Sequence, residues 1–569
     1  LPPDAEPSET QPGQPEPPDT VAKLVRSRAG DPNLGLQFEG QRWTWAEVET
    51  EMEVWGAFLQ DLVRAQPLHV GVLLDNVPEY LFMIGGAALS GRALVGINPT
   101  RRGAELARDI RHADCQAIVT DSSYAELLEG LDLGPATDHV IIADSPEHAA
   151  MLARFRGPDA PRVTGEPGPD DLLLLIFTSG STGAPKAVRM TQGRAVRGTT
   201  GQMAFKPDDI LYVSMPVFHG NALASMVFPS LATGASLVLK RKFSASGFLP
   251  DIREYHCTFT STIGRALAYI LGTPPTDHDQ DHNLKFILAP EASTADMKAF
   301  RRRFGAPAFG GYGSSENAIV MIPAPGQPPE ALGAPAPGLD VAVVDPATEQ
   351  ECERARFDAD GKLVNADAAI GELVGRNAVN RFEGYYNNDE ANDARTRSGW
   401  YWSGDLAYRD ENDVFYFAGR NADWIRVDGE NFAGAPVERV IQRFPGVAGV
   451  AVFGVPDDRT IDDQVMAVIE MADGAEFDGA AFDAFLVEQR DLGTKWSPRY
   501  VRVVPALPVT ATNKIDKAPL KRARWTGTRA DAVYWRPDRR DALQPITDAD
   551  QAEIVRRFAA NGRAEVLSR

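Results

Sequence analysis

Between residues 69 and 289 the chain repeats one pattern: short β-branched runs separated by stretches long enough for a helix. The runs are HVGVLL (69–74), ALVGIN (93–98), AIVTD (117–121), HVIIA (139–143), LLLLIFTSG (172–180), ILYVSMP (210–216), ASLVLK (235–240), FTSTI (259–263) and KFILA (285–289). Apolar runs this short fit buried strands, and parallel neighbours need a crossover between them. The pattern predicts an α/β chain with mixed, largely parallel sheets and covering helices. It also excludes a coiled coil, a collagen-like repeat and wholesale disorder.

Around this block the texture changes. LGLQFEGQRW (34–43) reads as a hairpin turning at Glu39-Gly40, and Thr44 with Glu47 has the spacing of a capping box. Tyr80 to Ile97 is apolar, but it contains Arg92 and four glycines. That falls short of the roughly 20 uninterrupted apolar residues a membrane span needs, so it reads as a buried helix followed by a strand. From Gly399 to Arg420 the sequence looks like a compact hairpin. Beyond Arg420 helix and strand signals restart at 437–444 and 450–456, placing a boundary at 420–423. The predicted organisation is a disordered tail over 1–19, rich in Pro and Glu, a large domain over 20–419 and a smaller α+β domain over 420–569. The first residue is Leu rather than Met, so the natural start is not assumed to be present.

Charge narrows the partners. With 58 Lys+Arg against 79 Asp+Glu, the 569-residue chain carries a net charge of −21. Such a surface repels polyanions, so no nucleic acid and no anionic membrane is expected as the main partner. A small anionic substrate is still compatible, because local dipoles and a few cations decide that. Cys115, Cys257 and Cys352 are scattered, with no CxxC pair, which fits reduced thiols in a cytoplasmic protein and argues against a metal site. No secretory signal pattern is seen at the N-terminus.

The clearest chemical signal is Thr178-Ser179-Gly180-Ser181-Thr182-Gly183-Ala184-Pro185-Lys186, directly after a strand. Glycines let the backbone wrap an anion, four hydroxyls add donors, and Lys186 supplies a charge. It is not a Walker loop, because Pro185 precedes the lysine and Ala187 follows it. A plain flexible loop would leave Lys186 and the packed hydroxyls unexplained.

These residues resemble the signature of the adenylate-forming superfamily: acyl-CoA synthetases, luciferases and peptide-synthetase adenylation domains. Further segments extend the likeness in the family's order. They are Gly311-Tyr312-Gly313-Ser314-Ser315-Glu316, Gly399 to Leu406 (GWYWSGDL), Gly419-Arg420 with Gly429-Glu430-Asn431, and Pro508 to Ile515 (PVTATNKI). The resemblance implies a large N-terminal domain and a mobile C-terminal one, with ATP, Mg²⁺ and coenzyme A as cofactors and co-substrates. It also implies roles. Thr178 to Gly183 and Lys186 hold phosphates, with Ser315 donating to the α-phosphate. Tyr312, flanked by Gly313, lies against adenine, although a core tyrosine in a turn is the plain alternative. Glu316 holds Mg²⁺, a hard-oxygen role. Asp405 accepts the ribose hydroxyls, unless it merely closes an Asx-turn, and Arg420 reaches toward the same ribose.

Lys514 is the implied catalytic cation, bridging the substrate carboxylate and the α-phosphate. Lys517 and Lys521 are expected to be ordinary surface charges. Met215-Pro216-Val217-Phe218-His219 resembles the segment at the acyl and thiol entrance, where His219 closes the pocket or steers a thiol; a polar core histidine is the other reading.

Three positions depart from the common pattern: Ala422 at the hinge, Asn513 before the lysine, and Ala187 after Lys186. The segments 426–438 and 531–537 look more like the fatty-acid-transport and very-long-chain acyl-CoA synthetase branch, whose bacterial members act on fatty acids or steroid side-chain acids. The implied activity joins a small-molecule hydrophobic carboxylic acid, a fatty acid or steroid side-chain acid, to coenzyme A through acyl-AMP, releasing AMP and pyrophosphate. The alternatives are a ligase that loads a carrier protein and a nucleotide- or acyl-binding protein without turnover. A homodimer stays open.

Overall fold

The computed structural model describes residues 17–99, 101–178, 186–197, 199, 205–290, 292, 294–322, 326–328, 331–358, 363–420, 424–427, 430–458, 463–489, 492, 495–510, 514–528, 530–538, 541–561 and 563–567. Most of the predicted tail, residues 1–16, lies outside them. The chain divides into two compact units, one of residues 1–177, 187–243 and 251–261, the other of 178–186, 244–250 and 262–569.

In the first unit the repeated runs become two sheets. In one, Leu172–Thr178, Ala93–Gly96, His69–Leu73, Ala117–Thr120 and Val140–Ile142 lie side by side in that order as parallel neighbours, with Lys186–Thr191 next to Leu172–Thr178. Every residue of His69–Leu73 is buried, as expected for a central parallel strand covered on both faces. The other sheet orders Phe259–Ser261, Ile210–Val213, Ser236–Leu239 and Leu34–Phe38 in parallel, and ends on Gln41–Thr44 in an antiparallel hairpin.

Thr44 closes that hairpin and starts the helix Trp45–Leu62. Its Oγ1 accepts from the Glu47 amide at 3.2 Å, and Glu47 Oε2 accepts from the Thr44 amide at 2.7 Å. The apolar stretch near residue 80 is the buried helix Pro78–Ser90, followed by the strand Ala93–Gly96.

These two helices meet at glycines. A methyl group on Gly86 would lie 2.6 Å from the Gly56 nitrogen and 2.9 Å from the Trp55 carbonyl carbon. Those neighbours are backbone atoms and cannot rotate away. Gly86→Ala is expected to lower stability by about 1–3 kcal/mol, despite alanine's better helix propensity. A lowered thermal midpoint is the expected readout, and an unchanged one would mean the backbones are not in contact.

In the second unit one sheet drawn from residues 312–420 is antiparallel. Its strand order is Tyr312–Gly313, Val320–Ile322, Ala331–Pro335, Phe415–Arg420, Tyr401–Arg409, Gly371–Gly375 and Val341–Val344. This antiparallel share exceeds what the sequence pattern indicates. Several of these connections are too short to hold a crossover, so the chain folds back on itself.

The smaller sheet orders Val447–Pro456, Asp463–Met471, Tyr500–Val504, Ala532–Trp535 and Gln544–Pro545. The helix Gly434–Ile441 packs on it through Val437 and Ile441, both buried. Among the described residues no helix is long and apolar enough to cross a membrane, and the three cysteines are free.

Candidate active site

Ser179, Gly180, Ser181, Thr182 and Gly183 lie outside the described residues, as do Ala422 and Asn513. The ends of the glycine-rich loop are described. Thr178 closes the strand Leu172–Thr178 and Lys186 opens the strand Lys186–Thr191. Thr178 Oγ1 stands 3.5 Å from the Lys186 carbonyl oxygen, so the two ends face each other.

Glu316 is the centre of the site. It follows a tight turn in which the Asn317 amide donates to the Ser314 carbonyl at 3.0 Å and Asn317 adopts φ 52°. The side chain is buried, 7% exposed, and its Oε1 accepts from the Tyr385 hydroxyl at 2.6 Å. That hydroxyl accepts from Arg395 Nε at 3.1 Å, and Arg395 Nη1 donates to the Trp402 carbonyl at 3.1 Å. Lys186 Nζ stands 5.6 Å from the centre of the Tyr385 ring.

Burial pushes the Glu316 carboxyl up, but the Arg395 charge, the Tyr385 hydroxyl, its own backbone amide and Ser314 outweigh it. The net result is a carboxyl below the ordinary glutamate value. Lys186 is held below the ordinary lysine value by burial first and by Arg395 second, with Glu316 opposing. The site therefore holds an ionised carboxylate beside Arg395 and Lys186.

Tyr312 and Asp405 come together as a pair. The Tyr312 hydroxyl donates to Asp405 Oδ2 at 2.6 Å, and burial followed by the Asp405 charge keeps the phenol protonated. A carboxylate has lone pairs to spare, so Asp405 retains acceptor capacity for other hydroxyls. The residue after Tyr312, Gly313, is open: a Cβ there would meet nothing within 4 Å. Arg420 is the direct cross-strand partner of Asp405, as the hairpin reading requires. The turn before Asp405 needs glycine: Gly404 has φ 73°, and its amide donates to Glu372 Oε1 at 2.7 Å. Tyr401 is buried beside Phe382, and burial followed by the Glu316 charge pushes its phenol well above the ordinary tyrosine value.

His219 belongs to the first unit. It precedes the short helix Gly220–Ala222, where its Nδ1 accepts from the Asn221 amide at 3.4 Å. Asn221 Oδ1 in turn accepts from Ser261 Oγ at 2.7 Å. Ser315 is half-buried next to Glu316.

Lys514 sits on a closed hairpin. The Thr510 amide donates to the Lys514 carbonyl at 2.8 Å, the Lys514 amide to Thr510 Oγ1 at 3.2 Å, and the Asp516 amide to the Pro508 carbonyl at 2.8 Å. The reading of Lys517 as a surface charge is corrected by the structure. Its side chain is only 20% exposed and pairs with Glu438 at 2.9 Å, because it packs over a sheet edge that needs a donor.

The sequence reading passed over Tyr385, Arg395 and Glu372. A local signal was present in EGYYNNDEANDAR (383–395). Asn388 caps the helix Asp389–Arg395, and Asn392 Oδ1 accepts from the Tyr385 amide at 2.6 Å while its Nδ2 donates to the Tyr385 carbonyl at 3.1 Å. That clamp sets the tyrosine opposite Arg395 on the last turn. Nothing in the segment says that Glu316 lies across from it.

A lone buried, ionised carboxylate fits Mg²⁺ shared with nucleotide phosphates, because Mg²⁺ typically takes one or two carboxylates and keeps other oxygens. Among the described residues no group of three or more His, Cys, Asp or Glu could hold a metal unaided.

An α/β scaffold that brings Lys186, at the end of a glycine-rich sequence, to Arg395 and an anchored carboxylate, and that also holds a tyrosine–aspartate pair, suits a phosphate-bearing ligand. Residues 22–386 match the AMP-binding enzyme family and residues 436–514 the AMP-binding enzyme C-terminal domain. The chain belongs to the AMP-binding enzymes.

It is 47% identical to the steroid-22-oyl-CoA synthetase of Rhodococcus jostii (strain RHA1), over 96% of this chain and 99% of that one. It is 41% identical to the medium/long-chain-fatty-acid–CoA ligase FadD17 of Mycobacterium tuberculosis (strain ATCC 25618 / H37Rv), over 88% and 96% of the two chains. The fold resembles that of ATP-bound MatB from Rhodopseudomonas palustris, with a TM-score of 0.76 and 22% identity, covering 88% of this chain and 98% of that one.

Proposed function

We propose that this enzyme joins a hydrophobic carboxylic acid, a fatty acid or a steroid side-chain acid, to coenzyme A through an acyl adenylate. The observation that carries the reading is the Lys186–Tyr385–Glu316–Arg395 cluster together with the Tyr312–Asp405 pair. Its support is that relatives matched over most of their length are named as CoA ligases of hydrophobic acids.

In the first half-reaction a carboxylate oxygen bonds to the α-phosphorus of ATP and the bond to pyrophosphate breaks. Lys186 and the loop 178–186 bind the phosphates, with Ser315 donating to the α-phosphate. Glu316 would hold Mg²⁺, which when bound neutralises charge on phosphate oxygens. Tyr312 lies against adenine, while Asp405 and Arg420 hold the ribose. Lys514 offsets the repulsion between two anions as they meet, an effect largest at the transition state.

In the second half-reaction the coenzyme A thiolate attacks the acyl carbon and AMP leaves, taking the electron pair of the broken acyl–oxygen bond. Residues 420–569 act as a lobe that turns about 420–423 between the two steps, withdrawing Lys514. His219 lines the acyl and thiol entrance. The three free cysteines agree with work in the reducing cytoplasm.

The test is an assay of medium-chain, very-long-chain and steroid side-chain carboxylates with MgATP and coenzyme A. The expected products are AMP, pyrophosphate and one acyl thioester. Adenylate without thioester would point instead to a carrier-protein acceptor, and no pyrophosphate release with any acid would sink the reading.

A further inference from the structure

We propose that Lys517 and Glu438 form a clamp that positions the Lys514 loop for adenylate formation. The inference rests on the role given to Lys514 above, and adds to it what holds that lysine in place.

Val447–Pro456 is the edge strand of the smaller sheet, paired on one side only, with Asp463–Met471. An edge strand presents N–H and C=O groups that the ladder does not use, and buried ones need partners. At Val452 both find charged ones. The Val452 amide donates to Glu438 Oε1 at 2.8 Å, and its carbonyl accepts from Lys517 Nζ at 3.1 Å. Lys517 Nζ and the same Glu438 oxygen are 2.9 Å apart, with the two side chains 20% and 22% exposed. One edge residue therefore joins the helix Gly434–Ile441 to the first residue of the helix Lys517–Ala523.

The position of Lys517 in the chain gives this contact its reach. Asp516 Oδ1 accepts from the Ala518 amide at 3.0 Å, capping the helix, and the Asp516 amide closes the loop on the Pro508 carbonyl at 2.8 Å. The other end of the loop is tied down where the Leu507 amide donates to Glu470 Oε2 at 2.8 Å. Lys514 is thus carried between two anchors, one on Asp463–Met471 and one on the Val452 edge. Loosening the second leaves the sheet and its core intact but frees the loop at the lysine end. Displacement of a reacting group by about 1 Å can cost about a hundredfold in rate.

The experiment compares K517M, K517R, E438Q and K514A in the full chain, using decanoic acid, a steroid side-chain carboxylic acid and their acyl adenylates as probes. Acid-dependent ATP–pyrophosphate exchange reads the first half-reaction, thioester formation from supplied acyl adenylate and coenzyme A reads the second, and the melting midpoint reads folding.

K517M and E438Q are expected to lose between about tenfold and a hundredfold in exchange rate, with the thioester step changed by less than about twofold. K517R is expected to recover most of the loss, since its guanidinium also donates to the Val452 carbonyl and pairs with Glu438. Exchange within about twofold of the unsubstituted enzyme in K517M overturns the proposal, as does an equal fall in both half-reactions, which marks a merely structural contact. K514A separates the two ideas. If it exchanges normally, the role given to Lys514 fails; if it is inactive while K517M is not, only the clamp fails.

Discussion

With Lys514 replaced by alanine, acid-dependent pyrophosphate exchange is expected to fall by about 10²–10³-fold, equivalent to about 2.7–4 kcal/mol of transition-state stabilisation. The size follows from where the charge acts. Carboxylate and α-phosphate both carry negative charge and must come within bonding distance, so a cation placed between them helps most when they are closest. In the proposed mechanism ATP is bound by Lys186, Glu316, Tyr312 and Asp405, which the substitution leaves in place. The affinity for ATP, measured by equilibrium titration without acid, should therefore stay within about threefold. Loss of exchange together with loss of ATP binding would mean that the variant had damaged the fold, and normal exchange would remove Lys514 from the chemistry.

Glu316→Gln is expected to be the next most damaging change. The amide keeps the shape and can still accept from Tyr385, but it takes the Glu316 charge away from Lys186 and Arg395. A cation stripped of its buried counter-charge is costly, so the melting midpoint should fall as well. Exchange should drop by about 10²-fold, and the gain in ATP affinity on adding Mg²⁺ should largely vanish. Tyr385→Phe provides the graded comparison. It removes one hydrogen bond to a charged group, worth about 1.5–3 kcal/mol, but keeps the ring against Lys186 and the carboxylate charge. If Glu316→Gln kept its Mg²⁺ response while Tyr385→Phe lost it, the carboxylate would not be the group that meets the ion.

Much of the site could be read before any fold was known, because its parts are local. Asp405 and Arg420 occupy the two arms of one hairpin, and an alternating run with a polar turn is enough to set them opposite each other. Lys514 lies in a short loop whose hydrogen bonds span four to eight residues. Thr44 and Glu47 form their capping box within a single turn. In each case the partners are close in the chain, so residue type and spacing carry the information.

Tyr385 and Lys517 were out of reach for the opposite reason. Tyr385 matters because its hydroxyl meets Glu316, 69 residues away, and Lys517 because its ammonium meets a peptide carbonyl 65 residues away. Neither segment contains a trace of its partner. The same holds for the antiparallel sheet around 312–420, whose strand order depends on which edges remain open once the hairpins have formed.

Composition, strand rhythm and five short motifs were thus sufficient for the fold class and the family, and they named the candidate site residues. Burial and distant pairing decided the rest: which carboxylate stays ionised, and which lysine near the loop is ion-paired. Charge and hydrogen-bond energies depend on the partners and solvent that surround a group, and those are assembled only when remote parts of the chain pack together.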